Sequence, residues 1–364
     1  MEIQTVRAKL EKIPALILSD APLSTRTTLH IGGRPLLTVI AQSEEAFINA
    51  TRIIQSHDLR PLFMGGGSNL LVADGDIDYV AIVLDFKEIS IDGKVLTAQA
   101  GAVWDEVVET AIDAGLGGVE CLSGIPGSAG AVPVQNVGAY GVEISDILSR
   151  VKLYNRETDE IYWQDASELD LRYRHSRLKF QDKEIVLAAE FILTKGGLSV
   201  PIRFGELSRA LGAEGLERFD AQRVRKEVLR LRAAKGMVYE EKDHDTWSAG
   251  SFFTNPIVPL ELAQKISSMV DGTVPNYPVE QEGYVKLSAA WLIDNADFNK
   301  GYPLFNGKPG AAASLSTKHT LALTNRGNAT AQDILALARE IRAGVEAKFG
   351  VSLVPEPVFV GLDF

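Results

Sequence analysis

Ala46, Phe47, Ala50, Ile53 and Ile54 recur at intervals of three and four residues, and Ser43 stands just ahead of them. That spacing predicts a helix with one apolar face and a serine cap. Pro61-Leu-Phe-Met64 follows, a short apolar run that reads as a strand and leads straight into Gly65-Gly-Gly-Ser-Asn69. From Tyr79 the pattern turns to β. Val80-Ala-Ile-Val-Leu84 and Lys94-Val-Leu-Thr-Ala-Gln-Ala100 read as strands, with Asp92-Gly93 as a hairpin turn. A helix over 103–114 places Val103, Val107, Ala111 and Ala114 on one face, stops at Gly115, and carries Trp104 as a packing residue. Val151-Lys-Leu-Tyr-Asn and Glu160-Ile-Tyr-Trp flank the turn Arg156-Glu-Thr-Asp, and 184–193 closes this β-rich region. Val224, Val228 and Leu231 mark a basic amphipathic helix over 220–234, its arginines reading as a solvated face. Ile334, Leu337, Ala338, Ile341 and Val345 form another stripe behind the cap Thr330-Ala-Gln-Asp333. Residues up to about Asp20 read as a polar, poorly constrained lead.

Composition narrows the class. Of 364 residues, 46% are hydrophobic and 23% charged, the balance of an ordinary soluble protein with room for two or three domains. A net charge of −11 leaves no basic excess for nucleic acid, though local Arg and Lys can still dominate a cleft for an anionic small substrate. The single cysteine, Cys121, suits a reducing compartment and reads as packing. With no signal-peptide core and no transmembrane run, the expectation is a cytoplasmic enzyme without membrane insertion. The five histidines show no metal-ligand spacing, so no metal is expected.

The most unusual passage is 121–141. Eight of the 32 glycines fall between Gly115 and Gly141, and no charge occurs between Glu120 and Glu143. Pro126, Pro133, Gln135 and Asn136 break any membrane-spanning helix, and the apolar content is too high for a flexible linker. A buried, irregular loop remains, whose N–H groups need partners. Either a large polar ligand or the loop's own turns supply them. Gly65-Gly-Gly-Ser-Asn69 is a weaker signal of the same kind. It lacks the dinucleotide fingerprint's third glycine and crossover helix, so it reads as an N–H nest for a diphosphate or as a plain turn. Arg172, Arg174, Arg177 and Lys179 crowd nine residues, as an edge strand or an anion contact.

The run Ser123-Gly-Ile-Pro-Gly-Ser-Ala-Gly-Ala-Val-Pro-Val-Gln-Asn-Val-Gly-Ala-Tyr-Gly141 resembles the flavin-binding signature of the UDP-N-acetylenolpyruvoylglucosamine reductase (MurB) family. Ser248-Ala-Gly-Ser-Phe-Phe-Thr-Asn-Pro256 is similar to that family's substrate-domain motif. Pro275-Asn-Tyr-Pro278, Val285-Lys-Leu-Ser-Ala-Ala-Trp-Leu-Ile293 and Leu353-Val-Pro-Glu-Pro-Val-Phe359 follow in register, so the resemblance runs from Leu23 onward. It implies an α+β fold. A two-lobed FAD-binding domain of the vanillyl-alcohol-oxidase/PCMH type would occupy 20–197, with lobes near 20–78 and 79–197 and Leu23–Gly33 lying along it. An α+β substrate domain would cover 198–349 with a lid near 201–206, and a strand over 350–364 would return to the active site.

The implied reaction belongs to peptidoglycan precursor synthesis: NADPH reduces non-covalent FAD, which then reduces an enolpyruvyl ether on UDP-N-acetylglucosamine to UDP-N-acetylmuramate. Carried over position by position, Arg174 and Glu356 would stabilise the enediolate-like charge and Ser251 would protonate the carbon. Glu356, repelled by a substrate carboxylate if ionised, is expected to carry a proton it can donate. FAD would contact Gly65, Gly66, Gly67, Ser68 and Asn69, then Ser123, Gly124, Ile125, Pro126, Gly127, Ser128, Gly130, Ala131, Gln135, Asn136, Gly138, Tyr140 and Gly141. Tyr173, Lys235, Asn255, Tyr277 and Lys286 would contact the UDP-sugar, and Tyr140 would face both ligands. A monomer is expected.

Two positions depart from the family pattern. Phe204 stands where a lid tyrosine is common, which puts a phosphate hydrogen bond in doubt, and His319 where a glutamine is common. An FAD-dependent oxidase or dehydrogenase of another alcohol or sugar is the alternative reading, but it leaves 250–256 and the Pro-Glu-Pro segment without a reason. A flavin- or nucleotide-sensing module without activity is a third. Retention of Arg174, Ser251 and Glu356 together argues against it.

Overall fold

The computed structural model describes residues 2–203, 205–304 and 310–364; Phe204 lies outside them. Packing divides the chain into two units. The first comprises the stretch up to Pro22, Arg34–Gly67 and Asp76–Val238. The second comprises Leu23–Gly33, Ser68–Gly75 and Tyr239–Phe364.

The first unit holds two sheets with separate cores. In the smaller, the strands run Leu16–Ser19, Arg34–Ala41, Asp76–Leu84, Pro61–Met64. The first pairing is antiparallel and the other two are parallel. The helix Glu44–Gln55 forms because Ser43 Oγ accepts the Ala46 N–H at 3.1 Å and because Phe47, Ala50 and Ile54 share a buried face. The N-terminal lead is not unconstrained. Glu2–Leu10 is a helix whose Val6 and Leu10, one turn apart, are fully buried against this sheet's core, and Leu16–Ser19 is an edge strand. Ile3, Val6 and Leu10 stand at helical spacing on this face, but over nine residues the stripe is short beside its polar neighbours.

The larger sheet is antiparallel throughout, in the order Glu160–Asp165, Leu148–Asn155, Glu184–Ile192, Val95–Gln99, Ile89–Asp92. Ile89–Asp92 and Val95–Gln99 form a hairpin whose loop is Gly93-Lys94, one residue on from the expected Asp92-Gly93, because Asp92 pairs with Val95. The helix Trp104–Asp113 buries Trp104, Val107, Val108, Ala111 and Ile112, so its inward face is rotated away from the expected Val103 and Ala114, which are exposed. Trp104 is fully buried and donates Nε1–H to Leu122 O at 3.1 Å. The segment 171–179 forms turns rather than an edge strand.

This unit continues past the Lys195-Gly-Gly197 junction to Val238. Helix Ala221–Ala234 explains why: Ala221, Val224, Val228 and Leu231 share a core with Trp104, Cys121 and Leu122. Its arginines are not all solvated. Arg225 and Arg232 are buried, on the same side as the apolar stripe.

In the second unit, Ile257–Pro259, Tyr284–Leu287 and Asn276–Tyr277 form a three-stranded sheet, and Ala313–Leu315 pairs with Leu323–Asn325. Helix Ala331–Phe349 starts at a Thr330–Asp333 capping box and buries the whole expected stripe. Leu23–Gly33, expected to run along the flavin domain, packs here, with Leu29 and Ile31 in one core with Phe252 and Phe253. The C-terminal strand is Val358–Val360, parallel to Leu70–Val72. It starts beyond the Pro-Glu-Pro segment, because Pro355 and Pro357 have no N–H to give a ladder. No helix among the described residues is long and apolar enough to cross a membrane.

Candidate active site

In the first unit the two glycine loops touch. Strand Pro61–Met64 delivers Gly65 and Gly66 against Gly127 and Ser128. A Cβ on Gly65 would lie 2.1 Å from Ser128 Oγ, and one on Gly66 would lie 3.1 Å from Gly127 Cα. A side chain at either position would make Ser128 turn away or push the two backbones apart by a few tenths of an ångström, so the glycines let the two loops close into one backbone-lined surface. The second loop is anchored from behind. Trp104 N–H donates to Gly127 O at 3.0 Å, Ala129 N–H to Ala102 O at 2.8 Å and Gly130 N–H to Ala100 O at 2.9 Å. Ser123 is buried and donates its hydroxyl to Glu120 O at 2.7 Å. Gly124 N–H donates to Asp105 Oδ1 at 2.6 Å, and Arg225 grips the same carboxylate at 2.6 and 2.9 Å.

Residues 131–134 form one helical turn; beyond it, Gly138–Ala139 pairs with Val142–Glu143 around Tyr140 and Gly141. Burial pushes the Tyr140 hydroxyl up to about 12, so it is a neutral donor at neutral pH. Arg174 has a left-handed backbone (φ 53°), donates Nη2–H to Gly138 O at 2.8 Å, and lies over the Tyr173 ring at 5.1 Å. Lys235 pairs with Glu206, at the end of the 201–206 segment and in the first turn of helix Gly205–Leu211.

Two buried polar atoms beside this loop have no protein partner: Gln135 Oε1 and Arg232 Nε. Arg232 donates Nη2–H to Gly124 O at 3.2 Å and to Met237 O at 2.8 Å, and burial lowers its basicity. An orphaned acceptor and an orphaned donor beside a glycine-lined surface suit a ligand carrying both N–H and carbonyl groups, as an isoalloxazine does. The residues present fit FAD. Sequence reasoning missed Arg232, Asp105 and Arg225. Each sits in a helix that reads as solvated or amphipathic, and no local signal marks its partner. Cys121 is fully buried and its thiol is pushed up by burial, which makes it a packing residue.

The second unit gathers the other candidates. Strand Leu70–Val72 carries Ser68 and Asn69 at its start; Val358 N–H donates to Asn69 O at 2.9 Å, and Asn69 Nδ2–H donates to Glu356 O at 3.4 Å. Ser251 is half-buried beside Phe252, whose carbonyl accepts the Glu356 N–H at 2.8 Å. Asn255 Oδ1 accepts the Ala289 N–H at 2.9 Å, and so caps the Ala289–Asp294 helix region. Tyr277 and Lys286 are cross-strand neighbours, with Ile257 on the other side of Lys286. The carbonyl of His319 accepts the Ala322 N–H at 3.2 Å, in the turn before Leu323–Asn325. Among the described residues no cluster of three or more His, Cys, Asp or Glu could hold a metal.

Comparison with known proteins decides the family. The chain is 56% identical over 352 residues to UDP-N-acetylenolpyruvoylglucosamine reductase 2 of Corynebacterium glutamicum, covering 95% of this chain and 94% of that protein. It is 53% identical to the reductase of Corynebacterium diphtheriae (98% and 94% covered) and 48% identical to that of Mycobacterium marinum (95% and 96%). The chain belongs to the UDP-N-acetylenolpyruvoylglucosamine reductase family. A family model described as the C-terminal domain of this reductase matches residues 241–360, within the second unit, and one described as an FAD binding domain matches 35–163. A crystal structure of the family's enzyme from Thermus caldophilus covers 95% of this chain and 99% of its own, with a TM-score of 0.64 at 22% identity. That likeness bears on the fold, an α+β arrangement with an FAD-binding domain and a reductase C-terminal domain.

Proposed function

We infer that this chain reduces the enolpyruvyl ether of UDP-N-acetyl-3-O-(1-carboxyvinyl)-glucosamine to UDP-N-acetylmuramate, a step of peptidoglycan precursor synthesis, with NADPH as hydride donor. The observation that carries this reading is end-to-end identity of 56% to a reductase of that name. Bound FAD supplies the hydride chemistry between NADPH and the enolpyruvyl carbon. The chain supplies binding, charge stabilisation and a proton. Gly65, Gly66 and Gly67, with Ser123, Gly124, Ile125, Pro126, Gly127, Ser128, Gly130 and Ala131, would hold FAD without a covalent bond. Support for this comes from the close approach of Gly65 and Gly66 to 127–128 and from the orphaned Gln135 Oε1.

On the substrate, Arg174 would stabilise the charge that develops on the carboxylate side as the methylene carbon gains a hydride. Glu356 would donate a hydrogen bond to the same charge, and Ser251 would give the proton that completes the saturated carbon. Tyr173, Lys235, Asn255, Tyr277 and Lys286 would bind the sugar nucleotide; the Tyr277–Lys286 pairing on one sheet supports a shared ligand for those two. Functionally, 20–197 would serve the cofactor, 198–349 the substrate with a lid near 201–206, and 350–364 would contribute Glu356. The enzyme would act in the cytoplasm as a monomer. The test is direct: purified protein should be yellow, bleach with NADPH, and regain colour without oxygen when the enolpyruvyl sugar nucleotide is added. Recovery of colour with oxygen alone would favour an oxidase.

A further inference from the structure

Asn136 stands in the flavin signature, yet its side chain is committed inside the protein. It is fully buried and holds a left-handed backbone (φ 41°), which asparagine tolerates better than most residues. Its Nδ2 donates to Glu143 Oε2 at 2.9 Å and to Arg172 O at 3.0 Å, and its Oδ1 accepts the Ser145 N–H at 2.9 Å. Both amide hydrogens are therefore used, so a bond from this side chain to a ligand would cost one of them.

These three bonds tie together three segments outside the larger sheet. One is the loop 134–138, whose Gly138 carbonyl receives Arg174 Nη2 at 2.8 Å. Another is 143–146, a capping box in which Glu143 N–H donates to Asp146 Oδ2 at 2.8 Å and the Asp146 N–H donates to the Glu143 side chain, fixing the carboxylate that Asn136 meets. The last is the turn 172–175, closed by two backbone bonds, Arg172 N–H to His175 O at 3.1 Å and His175 N–H to Arg172 O at 2.9 Å. Ser176 Oγ holds the far end of that turn to Val134 O at 2.7 Å.

We propose that Asn136 is a positioning residue for Arg174: its amide fixes the turn that carries Arg174 against the carbonyl that orients the guanidinium. The proposal rests on the reading of Arg174 as the group that stabilises developing charge. It replaces a cofactor role for the Asn136 side chain with a role in aiming a substrate-side cation.

The test uses FAD-loaded Asn136→Asp and Asn136→Gly enzymes. Aspartate keeps the acceptor but loses both donors and meets Glu143 with like charge; glycine loses all three bonds but accepts the left-handed backbone without strain. Both should retain stoichiometric flavin and bleach with NADPH at nearly the wild-type rate. Reoxidation by the enolpyruvyl sugar nucleotide should slow by about 10²-fold, the scale for displacing a catalytic group by roughly 1 Å. In an Arg174→Ala background, Asn136→Gly should add little further loss, because the two act as one unit. Loss of flavin from both Asn136 variants overturns the proposal, and so do effects that multiply with Arg174→Ala. A slow Arg174→Ala enzyme with fast Asn136 variants also sinks it alone. An Arg174→Ala enzyme that reoxidises at full rate overturns the reading of Arg174, and the proposal with it.

Discussion

The backbone N–H of Glu356 donates to the carbonyl of Phe252 at 2.8 Å, so the residue after Ser251 is hydrogen-bonded to the residue that carries the Glu356 carboxylate. Thr254 N–H donates to Val354 O at 3.0 Å, so these two bonds set Phe253 opposite Pro355, and Asn69 Nδ2–H reaches the Glu356 carbonyl at 3.4 Å. Pro355 and Pro357 stiffen the backbone on both sides of Glu356. One short stretch of backbone pairing thereby ties together the segments that carry Ser251, the proposed proton donor, and Glu356, the proposed charge stabiliser, far apart in the chain.

Ser251 lends itself to a test by half-reaction. If it is the proton donor, it acts only once the enolpyruvyl carbon has accepted a hydride. Ser251→Ala should bleach with NADPH at close to the wild-type rate, while reoxidation by the sugar nucleotide falls by about 10² or more, the loss typical of a positioned general acid. Ser251→Cys should recover part of it. Stopped-flow flavin absorbance in each half-reaction reads the difference, and equal slowing of both steps would assign the serine to flavin binding or to the fold.

Gly130 tests the anchoring of the flavin loop. A Cβ there would lie 2.6 Å from Ala100 Cβ, 3.0 Å from Ala100 Cα and 3.2 Å from Ala100 O, atoms that cannot swing aside. Gly130→Ala should cost about 1–3 kcal/mol, the range for overpacking a tight interior, and lower the melting temperature and flavin content together. Gly205→Ala, in a helix where the nearest atom is Arg209 Nη1 at 3.6 Å, should be neutral or slightly stabilising. Thermal melts with flavin absorbance compare the two.

Asp105→Asn should be more damaging than its partly exposed position suggests. It leaves the buried Arg225 guanidinium with only the largely exposed Glu109 carboxylate, at 3.6 Å, as a counter-charge, so the change should cost somewhat less than about 3 kcal/mol, the lower end of the range for broken buried pairs. Burial opposes ionisation of Asp105, but hydrogen bonds from Arg225 and the Gly124 N–H, with the charges of Arg225 and Arg232, outweigh it and hold the carboxyl below its ordinary range. A folded value below the unfolded one means the stabilisation is complete above the unfolded value and is lost as pH falls through the folded one. Wild-type stability should therefore drop in the acid region below about pH 4, while Asp105→Asn shows a shallower decline there. Denaturant melts across pH give the two slopes; parallel curves would exclude the ion pair as the cause.

Cys121 should be silent toward thiol reagents in the folded protein. Burial, and then the neighbouring Glu120 charge, push its thiol up, so little thiolate forms at neutral pH. Alkylation by iodoacetamide should be negligible in native protein and stoichiometric in denaturant. Rapid native labelling would mean that the core around Trp104 and Leu122 opens.

Local signals account for the glycine loops of the candidate site and for one of its neighbouring helices. The glycine pattern at 65–67 and 124–130 was legible because a missing Cβ is a property of the residue itself, and the contact it permits, Gly66 against Gly127, follows from backbone geometry. The Thr330–Asp333 capping box and the stripe behind it were legible because both repeat within one or two helical turns. The inward placement of Arg225 and Arg232 was not. Helical spacing says only that they share a side with Val228 and Leu231; it does not say that Asp105 waits for one of them and a glycine carbonyl for the other.

The sequence alone marks the candidate stations by residue type: two glycine-rich turns, one arginine beside a tyrosine, one serine after a glycine, and a carboxylate between prolines. It also determined the helices and strands around them, since those depend on neighbours three or four residues away or alternating along a strand. Tertiary structure alone decided which stations meet within each unit. Asn69 reaches Glu356, and Asn136 reaches Arg172, across separations of 287 and 36 residues. Leu23–Gly33 joins the core of Phe252 rather than that of the strand that follows it. Such pairings are settled by which buried surfaces and hydrogen-bonding groups can be satisfied together once the whole chain has folded, and no window of the sequence contains both partners.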